Sequence, residues 1–460
     1  MGAYEDFLAT KAIIDHSTGL TKFDGLPSIM FPFQRDITEW ALKRGRAALF
    51  EGTGLGKSLQ ELAWADAVHR ETGRDILHLA PLAVTDQMMQ EANKFGLIAR
   101  HVRDQSECVA GNNITNFQKL DHFDLSRFGG VILDESSILK STDGHYRTRL
   151  IAECQKIPFR LAATATPAPN DFMELGNHAE FLGVMSYTDM LATFFTHDGG
   201  ETQKWRLKGH AENEFWKWMA SWAVMLRKPS DLGYSDDGYD LPPLNVIQHN
   251  VAVDHQAAHQ AGMLFALPAE TLSERIAARR ATVEDRVRKA VEITPTDGPF
   301  VWWCNLNTES EMVTSLIKGA VETKGSDSDE EKIRKLRAFA DGSIRVLTTK
   351  AKVAGFGLNW QHCHHTGFIG LNDSWEQYYQ AVRRFWRFGQ TKPVEAHLIA
   401  AETEGNVALN LRRKEADADR MMAAMIKHTQ DFSSKAIRGQ VREKPNYNPT
   451  QKMEIPAWAA

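Results

Sequence analysis

Glu51-Gly52-Thr53-Gly54-Leu55-Gly56-Lys57-Ser58 decides how the remainder of this 460-residue chain is read. The apolar run Ala47-Ala48-Leu49-Phe50 leads into it, and a helix-like segment from Leu59 to His69 follows. Strand, glycine loop, lysine-hydroxyl and helix is the order that builds a phosphate cradle. Backbone N–H groups around Gly52, Thr53, Gly54 and Gly56, and at the helix N-terminus, converge on the anion. Lys57 adds a positive charge, and the Ser58 hydroxyl offers a ligand to Mg²⁺. The strict pattern has glycine where Glu51 stands. The competing explanation is a glycine-rich strand-to-helix turn without a ligand, and the rest of the chain has to decide.

Length and composition set the frame. A chain of 460 residues exceeds one ordinary core, so two domains with an insertion are expected. Hydrophobic residues make up 43% and charged residues 25%, the balance of a soluble globular protein. The formal net charge of −5 argues against a diffuse positive field for nucleic acid and leaves room only for a local basic groove. Cys108, Cys154, Cys304 and Cys363 are scattered, which fits reduced thiols in a cytoplasmic setting. No apolar run approaches a membrane span, and Asp6 stands where a myristoylation signal needs Ser or Thr. No membrane partner is expected.

Upstream of the loop, Phe31-Pro32-Phe33-Gln34-Arg35 opens a helical pattern, and the Gln34 amide can offer a donor and an acceptor to an adenine edge. Downstream, Asp75 to Ala80 reads as a buried strand stopped by Pro81, followed by a helix from about Val84 to Phe95. Gly130-Val131-Ile132-Leu133-Asp134-Glu135 is a fully buried parallel strand that delivers two carboxylates at its carboxyl end, the ligand-binding edge of open α/β sheets. In that place Asp134 holds Mg²⁺ through its water shell, and Glu135 orients and deprotonates the attacking water. A further strand, Phe159 to Ala163, runs into Thr164-Ala165-Thr166-Pro167-Ala168-Pro169-Asn170, whose hydroxyls are suited to sensing a γ-phosphate. Residues 172–230 break the strand–helix rhythm. Phe215, Trp216, Trp218, Met219, Trp222 and Met225 recur at helical spacing, predicting a helical insertion with a core-facing stripe.

Asp231 to Asp240, with Leu241-Pro242-Pro243, reads as an interdomain linker. A strand over Asn245 to Val253 and a charged helical region over His255 to Val291 come next. Phe300 to Cys304 begins a second series of strands and helices. Its strand Ile344 to Leu347 runs into Thr348-Thr349-Lys350 and Gly355-Phe356-Gly357-Leu358-Asn359. Those glycines allow close backbone approach, and the hydroxyls suit phosphate oxygens of nucleic acid. Gln361-His362-Cys363-His364-His365 lacks a second ligand cluster at usable spacing, so no structural zinc is expected. Finally, Gln380 to Gln390 carries Arg384 and Arg387 three apart, on one face if helical, as two guanidinium forks suited to a triphosphate. A basic aromatic helix lying directly on DNA is the alternative.

In this order the motifs resemble helicase superfamily 2, closest to the Swi/Snf-type DNA translocases in the compact form found in bacteriophages. The resemblance covers roughly Phe33 to Ile399. Its most specific match is Gln380, Arg384, Arg387, Gly389 and Gln390 at family spacing. The family does not require glycine at position 51, which removes the mismatch in the phosphate loop. Ser136-Ser137 replaces the family's usual Ala-His pair after the acidic box. The resemblance implies an α/β fold of two tandem RecA-like lobes with parallel sheets. Lobe one spans 31–240 with a helical insertion at about 172–230, and lobe two spans 241–430. A 1–30 extension and a 431–460 tail flank them. It implies ATP and magnesium as cofactors, with Gln34, Gly357 and Gln380 joining the loop in nucleotide binding. Pro81, Thr348, Thr349, Lys350 and Asn359 face nucleic acid, with double-stranded DNA favoured and RNA possible. An RNA helicase is the nearest rival, and a nucleotide-gated recruitment factor with little turnover is the rival of another class. The expected location is the cytoplasm, of a bacterial host if the chain is phage-encoded.

Overall fold

Short runs bounded by Gly, Pro and charged residues become strands, buried along their length at the centre of the sheets and partly exposed at several edges. In the first half these are β1 (Arg46–Glu51), β2 (Ile76–Ala80), β3 (Ala99–His101), β4 (Asn112–Asn116), β5 (Gly130–Asp134), β6 (Phe159–Thr164), β7 (Phe195–His197), β8 (Trp205–Leu207) and β9 (Ala223–Leu226). The second half has β10 (Leu244–Val251), β11 (Phe300–Cys304), β12 (Ala320–Glu322), β13 (Val346–Thr349), β14 (His365–Ile369) and β15 (Val394–Ala401). This computed structural model describes residues 17–140, 144–168, 171–197, 205–251, 280–354, 359–370, 374–402 and 407–437. The first 16 residues of the 1–30 extension, the glycines Gly355 and Gly357, and most of the charged segment after His255 lie outside those residues.

Two parallel sheets organise the described chain, as expected for tandem RecA-like lobes. The first has seven strands in the order β3-β4-β2-β5-β6-β1-β9, and the second has six in the order β10-β15-β14-β11-β13-β12. In the first sheet β1 lies between β6 and β9, with Ala48 opposite both Ala162 and Ala223. Parallel neighbours require crossover connections, and helices such as Lys57–Thr72 and Leu82–Phe95 supply them. Among the described residues no helix is long and apolar enough to cross a membrane.

The region read as a helical insertion is only partly helical. Helices Leu175–Leu182, Tyr187–Phe194 and Glu212–Trp222 are present, with an antiparallel β7–β8 hairpin between the second and third. The aromatic stripe is core, since Phe215, Trp216, Met219 and Trp222 are all buried. The helix ends at Trp222, however, and Met225 sits on β9, the seventh strand of the main sheet. Apolar periodicity cannot separate the last turn of a buried helix from a short buried strand.

The last described helix, Val407–Ile437, returns to the first sheet. Ala418 packs against the second core, while Met425 and Ile426 are buried in the first. His428 stacks on Trp216 with ring centroids 5.4 Å apart and planes 6° apart. The helix therefore spans both sheets and passes the 430/431 boundary read from sequence.

The second core is tight around Trp302, a fully buried indole on β11. Gly367 on the adjacent β14 leaves the room, because a Cβ there would lie 2.1 Å from the Trp302 ring. Gly367→Ala should therefore cost about 1–3 kcal/mol through overpacking. Gly209→Ala, with nothing within 4 Å of the new methyl, should be close to neutral. Urea midpoints of the two variants check this pair, and equal midpoints would refute the packing account.

Candidate functional site

The phosphate loop leaves β1 at Glu51 and enters the helix Lys57–Thr72 through two left-handed glycines, Gly54 at φ 92° and Gly56 at φ 85°. Side chains are excluded here on steric grounds as well. A Cβ on Gly56 would lie 2.2 Å from the Gln34 amide nitrogen, and one on Gly54 would lie 2.9 Å from the Phe388 nitrogen. The loop is thus pressed between the upstream helix and the segment that carries Arg387. Gln34 is committed to protein at both ends: its Oε1 accepts from Phe31 N–H at 3.0 Å, and its Nε2 donates to Leu55 O at 2.7 Å. In this structure the amide fixes the loop. Lys57 Nζ donates to the carbonyls of Glu51 at 2.8 Å and Gly52 at 3.2 Å.

Asp134 ends β5 and is buried; desolvation, helped by Glu61 and Glu135, holds its carboxyl well above the usual range. Glu135 follows at φ 61°, the one left-handed non-glycine among the described residues. Its Oε1 accepts two hydrogen bonds, from Thr164 Oγ1 at 3.0 Å and from Gln380 Nε2 at 3.0 Å. Thr164 ends β6 in the first sheet, whereas Gln380 lies in the helix Trp375–Val382 beside the second. One carboxylate oxygen therefore joins the two halves. Burial raises the Glu135 carboxyl, opposed by Lys57 and by the Thr164 hydroxyl. Ser136, in place of the family's alanine, meets His178 Nε2 at 3.2 Å, so a histidine from the helix Leu175–Leu182 contacts the acidic box.

Arg384 and Arg387 do not share a helical face. The helix ends at Val382, and residues 383–389 form turns. Gln390 holds this turned segment, its Nε2 donating to the carbonyls of Gln361 at 3.0 Å, Cys363 at 3.1 Å and Phe385 at 3.2 Å. Arg384 Nε donates to Gln380 O at 2.9 Å. Burial and then the neighbouring Arg387 push the Arg384 guanidinium down to about 9, against the pull of Glu135 and Asp134. Arg387 is pushed down to about 10 by burial and supported by Glu91 of the helix Leu82–Phe95. Both arginines thus come to face acids of the first half, on turns rather than on one helix.

The residues expected to face nucleic acid divide. Thr348 and Thr349 belong to β13, which runs two residues further than the sequence pattern indicated, and both are fully buried. Thr348 Oγ1 lies 2.5 Å from Thr314 Oγ1, and Thr349 Oγ1 donates to Thr323 O at 3.2 Å. In this structure both hydroxyls hydrogen-bond within the fold. Lys350, the first residue beyond the strand, is partly exposed and donates to Asn307 Oδ1 at 2.6 Å. Pro81 caps the helix Leu82–Phe95 at the carboxyl end of β2, and Asn359 lies next to the buried Trp360.

Sequence reading passed over a polar layer behind the loop. Glu51 is wholly buried, with Oε2 accepting from Gln60 Nε2 at 2.8 Å, and burial pushes its carboxyl up to about 7. Glu61, also on the loop helix, lies 3.1 Å from His78 Nε2, both residues being fully buried. Burial drives Glu61 up to about 8 and His78 down to about 4, so the pair is neutral at pH 7. The signal was available: a histidine within the otherwise apolar run Ile76 to Ala80.

Residues 293–389 match the helicase conserved C-terminal domain. The chain is similar to the DNA annealing helicase and endonuclease ZRANB3 of Mus musculus, 22% identical over 435 residues, covering 84% of this chain and 40% of that protein. It also resembles the bifunctional helicase and thymine dioxygenase JBP2 of Leishmania braziliensis, 29% identical over 101 residues, or 21% of this chain and 9% of that one. The chain spans well under half the length of these relatives. Among solved structures, the Sulfolobus solfataricus SWI2/SNF2 ATPase core in complex with dsDNA matches with a TM-score of 0.41 at 16% identity, covering 90% of this chain and 97% of that one. The helicase-domain match and the similarity to the mouse protein, with the motifs in one order, support a helicase of superfamily 2 of the Swi/Snf type.

The buried carboxyls give a pH prediction. Glu61 keeps its proton to about pH 8 in the folded state, against an ordinary value of 4.5. The folded state therefore binds the extra proton. This contribution to stability is complete below pH 4.5 and lost as pH rises through about 8. Glu51 acts in the same direction through about 7. Glu61→Gln keeps a polar partner for His78 and removes one titration. Its unfolding midpoint should fall less steeply than that of the unmodified chain across this window, and an unchanged slope would exclude Glu61 as the source.

Proposed function

We propose that the chain hydrolyses ATP in the cleft between its two sheets and uses closure and opening of that cleft to move along double-stranded DNA. The observation that carries this reading is the Glu135 carboxylate, hydrogen-bonded at once to Thr164 and to Gln380. A group placed to act on the γ-phosphate is thereby sensitive to the relative position of the two halves. In this proposal the lobes are 31–240 and 241–430, with the helix after Val407 bridging them. That the similar mouse protein is a DNA annealing helicase supports DNA over RNA.

The roles follow from chemistry. The loop N–H groups and Lys57 take the phosphates, in a loop whose shape depends on Gly54 and Gly56, where a Cβ would clash with Phe388 and Gln34. Ser58 and the buried Asp134 fit a hard divalent cation, and the magnesium they would hold neutralises charge on the phosphate oxygens. Glu135 is the general base for water, and its raised proton affinity suits that task. Arg384 and Arg387 reach across to stabilise charge as the γ-phosphate leaves. Thr53 and Gln380 complete the nucleotide contacts, while Gln34 acts through its hold on Leu55. Lys350, with Pro81 and Asn359, faces the nucleic acid.

An arginine that acts only in the transition state contributes about 10³–10⁵ in rate. Arg387→Ala should lower turnover by that order and leave ATP affinity nearly intact, whereas Lys57→Ala should weaken ATP binding itself. Stopped-flow binding with a fluorescent ATP analogue, beside steady-state turnover, separates the two effects. Near-normal turnover in Arg387→Ala would refute the split site. Hydrolysis measured with double-stranded DNA, single-stranded DNA, RNA and no polymer should be highest with double-stranded DNA. Equal rates in all four would refute the translocase reading.

A further inference from the structure

Away from the nucleotide cleft, the second sheet gathers histidines and one carboxylate from three neighbouring strands. His365 opens β14 and lies in register with Glu395 on β15, and His397 is two residues along the same strand, so its side chain shares the face of Glu395. His365 Nδ1 is 3.2 Å from Glu395 Oε2, and His397 Nε2 is 3.9 Å from the same oxygen. One ligand atom from each of the three residues falls within 4.8 Å of the others. On β10, which pairs with β15, His249 Nε2 lies 3.0 Å from His397 Nδ1. We propose that His365, Glu395 and His397 form a binding site for a divalent transition metal of the zinc class, with His249 as the residue that orients His397.

The donor set and spacing support this assignment. Zinc takes imidazole nitrogen and carboxylate oxygen at about 2.0–2.2 Å, which places neighbouring donors of a tetrahedral ion about 3.3 Å apart. The two distances to Glu395 Oε2, 3.2 and 3.9 Å, bracket that value. Side-chain exposures of 27% for His365, 38% for Glu395 and 12% for His397 leave a path from solvent and room for water as a fourth ligand. When His397 donates from Nδ1 to His249 Nε2, its other nitrogen turns a lone pair toward Glu395, the arrangement by which an outer residue fixes a ligating imidazole.

The place of the cluster indicates its role. His365 is the first residue of β14 and Glu395 the second of β15, so the site lies toward the amino ends of strands whose carboxyl ends lead toward the cleft. A metal there clips β14 to β15 and, through His249, secures the edge strand β10. It acts on stability rather than on chemistry.

The test is zinc titration of the full chain near neutral pH, after chelator treatment, by competition with a chromophoric zinc chelator. One equivalent should bind and raise the thermal unfolding midpoint, and Co²⁺ in its place should give a visible d–d band. His397→Ala and Glu395→Gln should each abolish the stoichiometric site. His249→Ala should weaken it by about 10- to 100-fold, the usual loss on removing an orienting partner. His362→Ala, whose ring lies against Phe339 outside the cluster, should bind as the unmodified chain does. The proposal fails if no equivalent binds, or if Glu395→Gln and His397→Ala bind zinc unchanged. Glu395→Gln preserves side-chain size, so loss in that variant with a native unfolding profile separates ligation from misfolding.

Discussion

The hydrogen bonds converging on Glu135 Oε1 tie the two halves of the molecule together at a single atom. One oxygen accepts from Thr164 on the first sheet and from Gln380 beside the second, each at 3.0 Å. The backbone of Glu135 sits at φ 61°, where a side chain with a Cβ is strained by about 1–3 kcal/mol. Such a conformation persists only when its surroundings over-determine it, as the buried β5 and the Ser136–His178 contact do here. Any separation of the sheets must break the bond to Gln380 and leave the bond to Thr164. The carboxylate is thus released toward one side only, and its environment changes with the cleft.

The same region concentrates charge where water is scarce. Glu51, Glu61, Asp134 and Glu135 surround Lys57, and burial raises all four carboxyls. Opposite them stand two guanidinium groups, and Arg387 lowers Arg384. Buried charge is costly unless opposed, so each arginine depends on its acids: Glu135 and Asp134 for Arg384, Glu91 for Arg387. The cleft is therefore electrostatically coupled through both sheets, beyond its few direct hydrogen bonds.

Much of this was legible in the sequence because the signals were local. The order of apolar run, glycine loop and lysine placed β1 and its helix, and the run ending in Asp134 placed β5. What escaped notice depended on partners distant in sequence. Thr348 and Thr349 resemble loop hydroxyls until β13 is seen to include them, with Thr314 and Thr323 as their partners. A spacing of three suggested one helical face for Arg384 and Arg387, but the helix stops at Val382 and Gln390 holds the turn through carbonyls of Gln361 and Cys363. The neighbours of His365 in the second sheet, Glu395 and His397, come from another strand and are brought alongside only by the β14–β15 register. Met225 was assigned to a helix because its apolar spacing fits either element.

The contacts between the two halves differ in kind, and that difference sets where the cleft yields. On one side are ion pairs: Lys140 with Glu376, Arg337 with Asp86, and Arg103 with Glu330. In the last pair both side chains are more than half exposed, and exposed pairs contribute about 0–1 kcal/mol each. On the other side the helix Val407–Ile437 places Ala418 against the second core and buries Met425 and Ile426 in the first. Fully burying a side chain such as Met or Ile contributes about 1.5–3 kcal/mol, and packed cores change between discrete arrangements rather than stretching continuously. The exposed Arg103–Glu330 pair can part and reform at little cost, while the apolar helix holds register. A rotation about the helix, with Gln380 leaving Glu135 and the ion pairs separating, is therefore the least costly way for the two sheets to move apart.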